Sequence, residues 1–508
     1  MKVKSWLRLF GLLTAAVFLF AGVLVWYVDP FFHYHAPHTE RFFYPLDNER
    51  SMNDGLLRNL DYDAILTGTS LAACFKTSEL DALFGVHAIK IPASGASYFE
   101  INKLINTGLD THPDTKLVIR SIDRHMLLYG AEELRNDLGE YPDYLYDRNP
   151  FNDYKYLFNA DVLFTRCLHM ALDAARSDSV PGMTSFDDYS NTMAEYKGAF
   201  GLPNIRDMFH FDLDAVGEPM HLNEYDRREV TRKIQENVIA TAEAHPDVTF
   251  YCFFPPISLG YWRDRIALGD IYAQIEAEQL AAELMLQCPN IRLFDFTGRE
   301  DIISDVNQYR DLMHYGEWIN SLMLKWMRDD QYRLTEENYR DFFADRLAYY
   351  LAADYKALLT QERWHCDYYA AALLNEELTG IPPRPLGDDA LQDGRLSLPD
   401  AGTYSYLCFE ARGGKPGDTL TISVYDESGA CLSSAEETYQ ADGWQRFAVD
   451  LRKATGPAEV VIDGSAAEHR DFTLYSDNYG RLQGSPNRKT DGAKDGISTK
   501  EESSPDRI

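Results

Sequence analysis

Two hydrophobic periodicities alternate along most of the chain. Short apolar runs rich in β-branched and aromatic residues read as strands covered on both faces: DAILT (63–67), HAIKIPA (87–93), KLVIRSI (116–122), VTFYCFF (248–254) and IRLFDF (291–296). Between them, apolar residues recur at helical spacing in ASYFEINKLINTGL, REVTRKIQENVIATAEAH and IYAQIEAEQLAAELMLQ. This alternation predicts an α/β domain over 29–330, a central parallel sheet with helices on both sides. The stretch from about 125 to 220 breaks the rhythm. It is rich in Asp, Tyr, Asn and Pro (EYPDYLYDRNPFNDYKYLF) and predicts an insertion carried above the sheet as a substrate-facing lid.

The two ends follow other patterns. Leu9 to Val28 (LFGLLTAAVFLFAGVLVWYV) is an unbroken apolar run, about the 20 residues a bilayer-spanning helix needs. Lys2, Lys4 and Arg8 precede it and Trp26 and Tyr27 close it. Basic residues before the span and aromatics at its end predict an uncleaved single-pass anchor over 1–28 in the cell membrane. The N-terminus would then be cytoplasmic and the rest of the chain extracytoplasmic.

Residues 331–379 read as a helical extension, and GIPPRPLGDD opens a linker over 380–394. Alternating strands with Gly and Asp turns then predict a small β-sandwich over 395–477. The polar remainder, 478–508, predicts disorder.

Composition narrows the function. A formal net charge of −31 repels nucleic acid and excludes a polyanion-coating role. The 7 Cys form no CxxC pair and no Cys/His cluster of zinc-site spacing, so they read as core thiols. Cys408 and Cys431 are the pair an oxidising compartment could join. His33, His35 and His38 in HYHAPH read as juxtamembrane packing in preference to a metal site, which needs convergent ligands.

In open α/β sheets chemistry gathers at the carboxyl ends of the strands. The first strand ends at Gly68-Thr69-Ser70, where Ser70 is either a displayed nucleophile or a helix cap. The second ends in PASGAS, where Gly95 is either an oxyanion-binding amide or a plain loop glycine. Beyond the fifth, RDLMHY places Asp311 and His314 three residues apart. That spacing suits a base and its orienting carboxylate, or an ordinary surface pair. The combination in this order favours the catalytic readings.

Those residues resemble the SGNH/GDSL hydrolase superfamily. The likeness is to its membrane-anchored extracytoplasmic branch, with the D-alanyl lipoteichoic acid transfer proteins and alginate-type O-acetyltransferases. It covers roughly Asp29 to Trp326 and includes VDPFFHYHAP and FFPPIS. It implies a flavodoxin-like three-layer α/β/α fold and a serine nucleophile at Ser70. Ser70 and Gly95 would supply the oxyanion amides, and Asp311 and His314 would complete a triad, with no cofactor or metal. Two departures stand out: GTS replaces the usual GDS, and SIDRH stands where an oxyanion asparagine block is expected. Asp123 occupies roughly that place, and a carboxylate cannot donate unless protonated. Arg124 is the neighbouring donor.

The resemblance implies acyl transfer to, or ester hydrolysis on, a cell-surface polysaccharide or teichoic-acid-like acceptor through an acyl-Ser70 intermediate. A multi-spanning membrane O-acyltransferase would be the partner. The alternative is a catalytically degenerate, membrane-tethered glycan-binding or scaffold protein. Tyr404, Tyr406 and Trp444 of the sandwich are either core aromatics, the commoner use of strand aromatics, or a sugar platform; YPDYLYDRNPFNDYKY of the insertion reads equally as a sugar site or as the solvated face of a lid.

Overall fold

The computed structural model describes residues 3–476, apart from 131, 137–139, 177–179, 192–200, 202–204, 206–211, 361–379, 388, 440–442, 452 and 465–467. The tail assigned to disorder and the end of the helical extension lie outside the described residues.

The apolar runs form the sheet they predict. Strands β1 (Ala64–Gly68), β2 (Ala88–Pro92), β3 (Leu117–Ser121), β4 (Thr249–Phe254) and β5 (Ile291–Asp295) are buried almost throughout. They pair in parallel in the order β2-β1-β3-β4-β5. A two-residue antiparallel edge strand, β6 (Arg333–Leu334), completes the six-stranded sheet. It lies inside the segment read as wholly helical. Two residues carry no alternation, and only the edge of β5 makes them a strand. The strand order reverses direction between β1 and β3, which opens the crevice where doubly wound sheets hold ligands.

Helices cover both faces. One layer links α2 (Glu49–Asn59), α4 (Tyr98–Thr111), α6 (Glu224–Ile234) and α7 (Ile271–Leu286), and the other pairs α3 (Thr77–Phe84) with α8 (Glu317–Arg328). Ser97 caps α4 by accepting from the Glu100 amide at 3.1 Å, and Asn223 caps α6. In the insertion, α5 (Leu168–Arg176) continues a π-helical segment, Asp161–Cys167.

The N-terminal run is one helix, α1 (Val3–Val28), long and apolar enough to cross a bilayer. Only Ala21, Val25 and Val28 of it are buried. VDPFFHYHAP makes the junction with the domain. Asp29 takes a left-handed backbone (φ 44°) and is buried. Its carboxylate accepts the amides of His33, Tyr34 and His35 at 3.0, 2.7 and 3.1 Å and the Tyr156 hydroxyl at 2.8 Å. Burial raises its pKa against the pull of these donors. The histidines turn to separate partners: His33 to Asp153, His35 to the Ala36 and Trp26 carbonyls, and His38 toward Glu40. Among the described residues no group of metal-binding side chains forms.

Two four-stranded antiparallel sheets form the C-terminal part, and their apolar faces share a core separate from that of the α/β domain; the segment read as a linker supplies one edge strand, Arg384–Pro385, and packs Leu386 and Leu391 on that core. Here the two tyrosines take the core reading. Tyr404 and Tyr406 are buried, and Arg412 and Arg470 approach the Trp444 ring to 4.7 and 4.0 Å. Cys408 is buried and Cys431 exposed, and no disulfide joins them.

Candidate active site

β1 runs straight into the turn that carries Ser70. Gly68 has φ 152°, and a Cβ there would overlap the Ser121 hydroxyl of β3. Only glycine lets the two strands come this close. The cap of this turn is the residue before the serine. Thr69 is the N-cap of the short 3-10 turn Ser70–Ala72, its hydroxyl accepting from the Leu71 amide at 3.4 Å. The Ser70 hydroxyl is thereby left for another partner, and Ser70 Oγ lies 2.8 Å from His314 Nε2.

His314 is held from its other side. Its Nδ1 lies 2.7 Å from Asp311 Oδ2, while Asp311 Oδ1 accepts the Met313 and His314 amides, each at 2.8 Å. Burial opposes charge on Asp311, but the hydrogen bond and charge of His314 and the two amides outweigh it. The carboxyl is held below its ordinary range. With Nδ1 turned to the Asp311 carboxylate, Nε2 is the ring nitrogen that faces Ser70.

FFPPIS anchors this loop. The Ser258 hydroxyl donates to the Leu312 carbonyl at 2.7 Å, and the Tyr309 hydroxyl to that of Pro256 at 2.6 Å. The serine turn is tied to the same loop, because Tyr315 and Asn320 both donate to the Leu71 carbonyl, at 3.0 and 3.2 Å. Lys90 of β2 holds the turn from below. Its ammonium donates to the carbonyls of Ala73 and Phe75 at 2.6 and 2.9 Å, and burial brings its pKa down to about 8.

Gly95 lies in the loop after β2, next to the end of β1, since the Ala93 amide donates to the Gly68 carbonyl at 2.8 Å. It has φ 66°, and a Cβ would overlap the Arg135 guanidinium. So the glycine is required twice, by its backbone and by the arginine packed on it. Arg135 carried no signal in the sequence, because nothing in EELRND points toward β2.

Asp123 and Arg124 part company. Asp123 is buried and accepts from the Thr69 hydroxyl with Oδ2, while its Oδ1 has no protein hydrogen-bond partner. It therefore braces the residue before Ser70. Arg124 turns into the core, paired with Glu278 and Asp295 and donating to the Pro255 carbonyl at 3.2 Å. Phe254 and Trp262 pack against its guanidinium. The structure does not bring it to Ser70. His125, the last residue of SIDRH, lies within electrostatic reach of Asp123 and His314, and burial keeps its pKa below the ordinary value.

The insertion's aromatics are largely packing. Tyr141, Tyr146 and Tyr156 are buried, and Lys103 lies over the first two rings at 5.3 and 4.6 Å. Compared with known protein families and with curated proteins, the chain matches none.

Proposed function

We propose that this chain is a serine-dependent acyl-transfer enzyme, an O-acyltransferase or esterase acting on cell-surface glycan. One observation carries the reading: Ser70, His314 and Asp311 form an unbroken hydrogen-bonded series at the carboxyl edge of a parallel sheet. Resemblance of the GTS, ASGAS and RDLMHY segments to the SGNH/GDSL superfamily supports it.

In this mechanism His314 Nε2 takes the Ser70 proton as Oγ attacks an ester carbonyl. The oxyanion is met by the amides of Ser70 and Gly95. The imidazolium, stabilised by Asp311, returns the proton to the departing alkoxide, leaving acyl-Ser70. An incoming hydroxyl then gives its proton to His314 and takes the acyl group, and the imidazolium returns that proton to Ser70 Oγ as the acyl–serine bond breaks. Water gives hydrolysis, and a sugar or polyol hydroxyl gives transfer. Anchored by α1 with the domain outside the cell, the enzyme would meet nascent surface polymer. A multi-spanning membrane acyltransferase is the proposed source of acyl groups.

The second reading, a membrane-tethered scaffold without turnover, is favoured by Asp123, a carboxylate beside the turn where an oxyanion donor is wanted. The full chain in detergent, given p-nitrophenyl acetate and followed by intact mass, separates the two. An acetyl adduct present in wild type and absent from Ser70→Ala is expected, with His314→Ala slowed. No adduct, and equal slow hydrolysis in all three, would leave the scaffold.

A further inference from the structure

The insertion carries an apolar surface that acyl transfer does not use. Along Asp161–Cys167 and α5, Val162, Cys167 and Met170 pack into the core that also holds Val25 and Val28 of α1. The opposite side exposes Phe164, Leu168 and Leu172, at the four-residue spacing that shares one helical face. Phe164 is 59% exposed, and Phe151, in the loop leading to this segment, is 89% exposed. From Phe151 to Leu172 the sequence has two carboxylates: Asp153, which faces His33 and Tyr34 at the junction, and Asp161, with Arg166 3.7 Å from it. Such a surface is costly in water unless something apolar covers it.

Phe158 fixes its height. Its ring meets that of Phe18 edge-on, with centroids 5.4 Å apart, and lies 3.8 Å from where a side chain on Gly22 would begin. At 1.5 Å rise per residue, Gly22 and Phe18 lie about 9 and about 15 Å along the helix below Val28. Both are deeper than Trp26 and Tyr27, the aromatics suited to the membrane interface. In a hydrocarbon layer about 30 Å thick, that depth falls within the half nearest the domain.

Resting on the reading of α1 as a membrane span, we infer that residues 151–172 form a foot embedded in that leaflet. Phospholipid acyl chains cover Phe158, Phe164 and Leu168. The occupant follows from continuity: Phe158 extends the exposed surface of α1 sideways at hydrocarbon depth. A single helix leaves a domain free to swivel, whereas a helix and a foot fix its orientation. The same insertion then reaches the serine turn. The Asp187 carboxylate accepts the Ser78 amide and hydroxyl at the start of α3, at 3.0 and 2.6 Å, and Lys90 donates to the Asp187 carbonyl at 3.4 Å. The orientation of Ser70 to the membrane plane is set by this connection.

The test places the photoreactive residue benzoylphenylalanine at 158, 164 or 168 of the full chain, in phosphatidylethanolamine–phosphatidylglycerol vesicles. Position 12 of α1 and position 216, an exposed valine elsewhere in the domain, serve as controls. Lipid adducts read by mass spectrometry at 158 and 164, comparable in yield to those at 12 and absent at 216, are expected. Adducts at 12 without any at 158 and 164 would overturn the foot and leave the span standing. Crosslinks at these positions to a second copy, in place of lipid, would overturn it equally. No adduct at 12 would remove the span itself, and the foot with it.

Discussion

Ser70 and Arg124 follow paired neighbouring strands, β1 and β3, at the same edge of the sheet, yet they are put to opposite uses. Ser70 is partly exposed and its hydroxyl meets one base, itself held by one carboxylate. Arg124 is fully buried between two carboxylates, a carbonyl and two aromatic rings. Position at the carboxyl edge nominates both residues; burial and partner decide between them. A charge buried between Glu278 and Asp295 is turned away from the place where Ser70 would meet a substrate. A partly exposed hydroxyl beside an imidazole faces it.

The contrast is broken most decisively at the triad. Ser70→Ala should abolish the covalent adduct with the fold intact. Asp311→Asn should lower the acylation rate by about 10³–10⁴-fold, because the amide no longer orients and stabilises the imidazolium. Stopped-flow release of p-nitrophenol measures it, and a loss smaller than tenfold would mean that His314 does not act as the base. Arg124→Met should do the reverse. It strands Glu278, whose pKa burial already lifts to about 7, and Asp295 without their counter-charge. Urea titration should show about 3–5 kcal/mol of lost stability, while the rate per folded molecule stays within a few-fold. A rate collapse without destabilisation would put Arg124 back in the site.

Asp123 stands between the two cases and sharpens the comparison. Its hydrogen bond from Thr69 lies one residue from the nucleophile, so Asp123→Ala and Thr69→Val should each slow acylation by about fivefold, the worth of about 1 kcal/mol. The double variant should be no slower than either single one, since both remove the same bond. Additive losses would show that Asp123 acts on the substrate directly.

These distinctions mark what the sequence could reveal. Buried parallel strands announce themselves as apolar runs, so five strands and the residues at their ends were legible. That Thr69 caps the turn and frees Ser70 was not, because two adjacent hydroxyls are equivalent until the backbone is drawn. The base of Ser70 lies 244 residues away, which only topology brings within reach. Arg124 looked available because SIDRH shows its charge and hides Glu278 and Asp295. Arg135 left no periodic trace, since its partner, Gly95, sits on a distant segment.

A different kind of support comes from Lys90, which holds the serine turn with a charge that the core disfavours. Its amine has a folded pKa of about 8 against an ordinary 10.5, with burial as the dominant cause. Below pH 8 it is protonated in both folded and unfolded chains. Between about 8 and 10.5 the folded chain has released the proton and the unfolded chain still holds it, so stability attributable to Lys90 rises with pH across that window. Lys90→Met removes the titration. Urea midpoints of wild type and variant, compared from pH 7 to 10, should diverge steadily above pH 8 in favour of wild type. Parallel profiles would mean that the ammonium keeps its charge when buried. The carbonyls of Ala73 and Phe75 would then solvate it fully, and the turn carrying Ser70 would rest on a permanent cation.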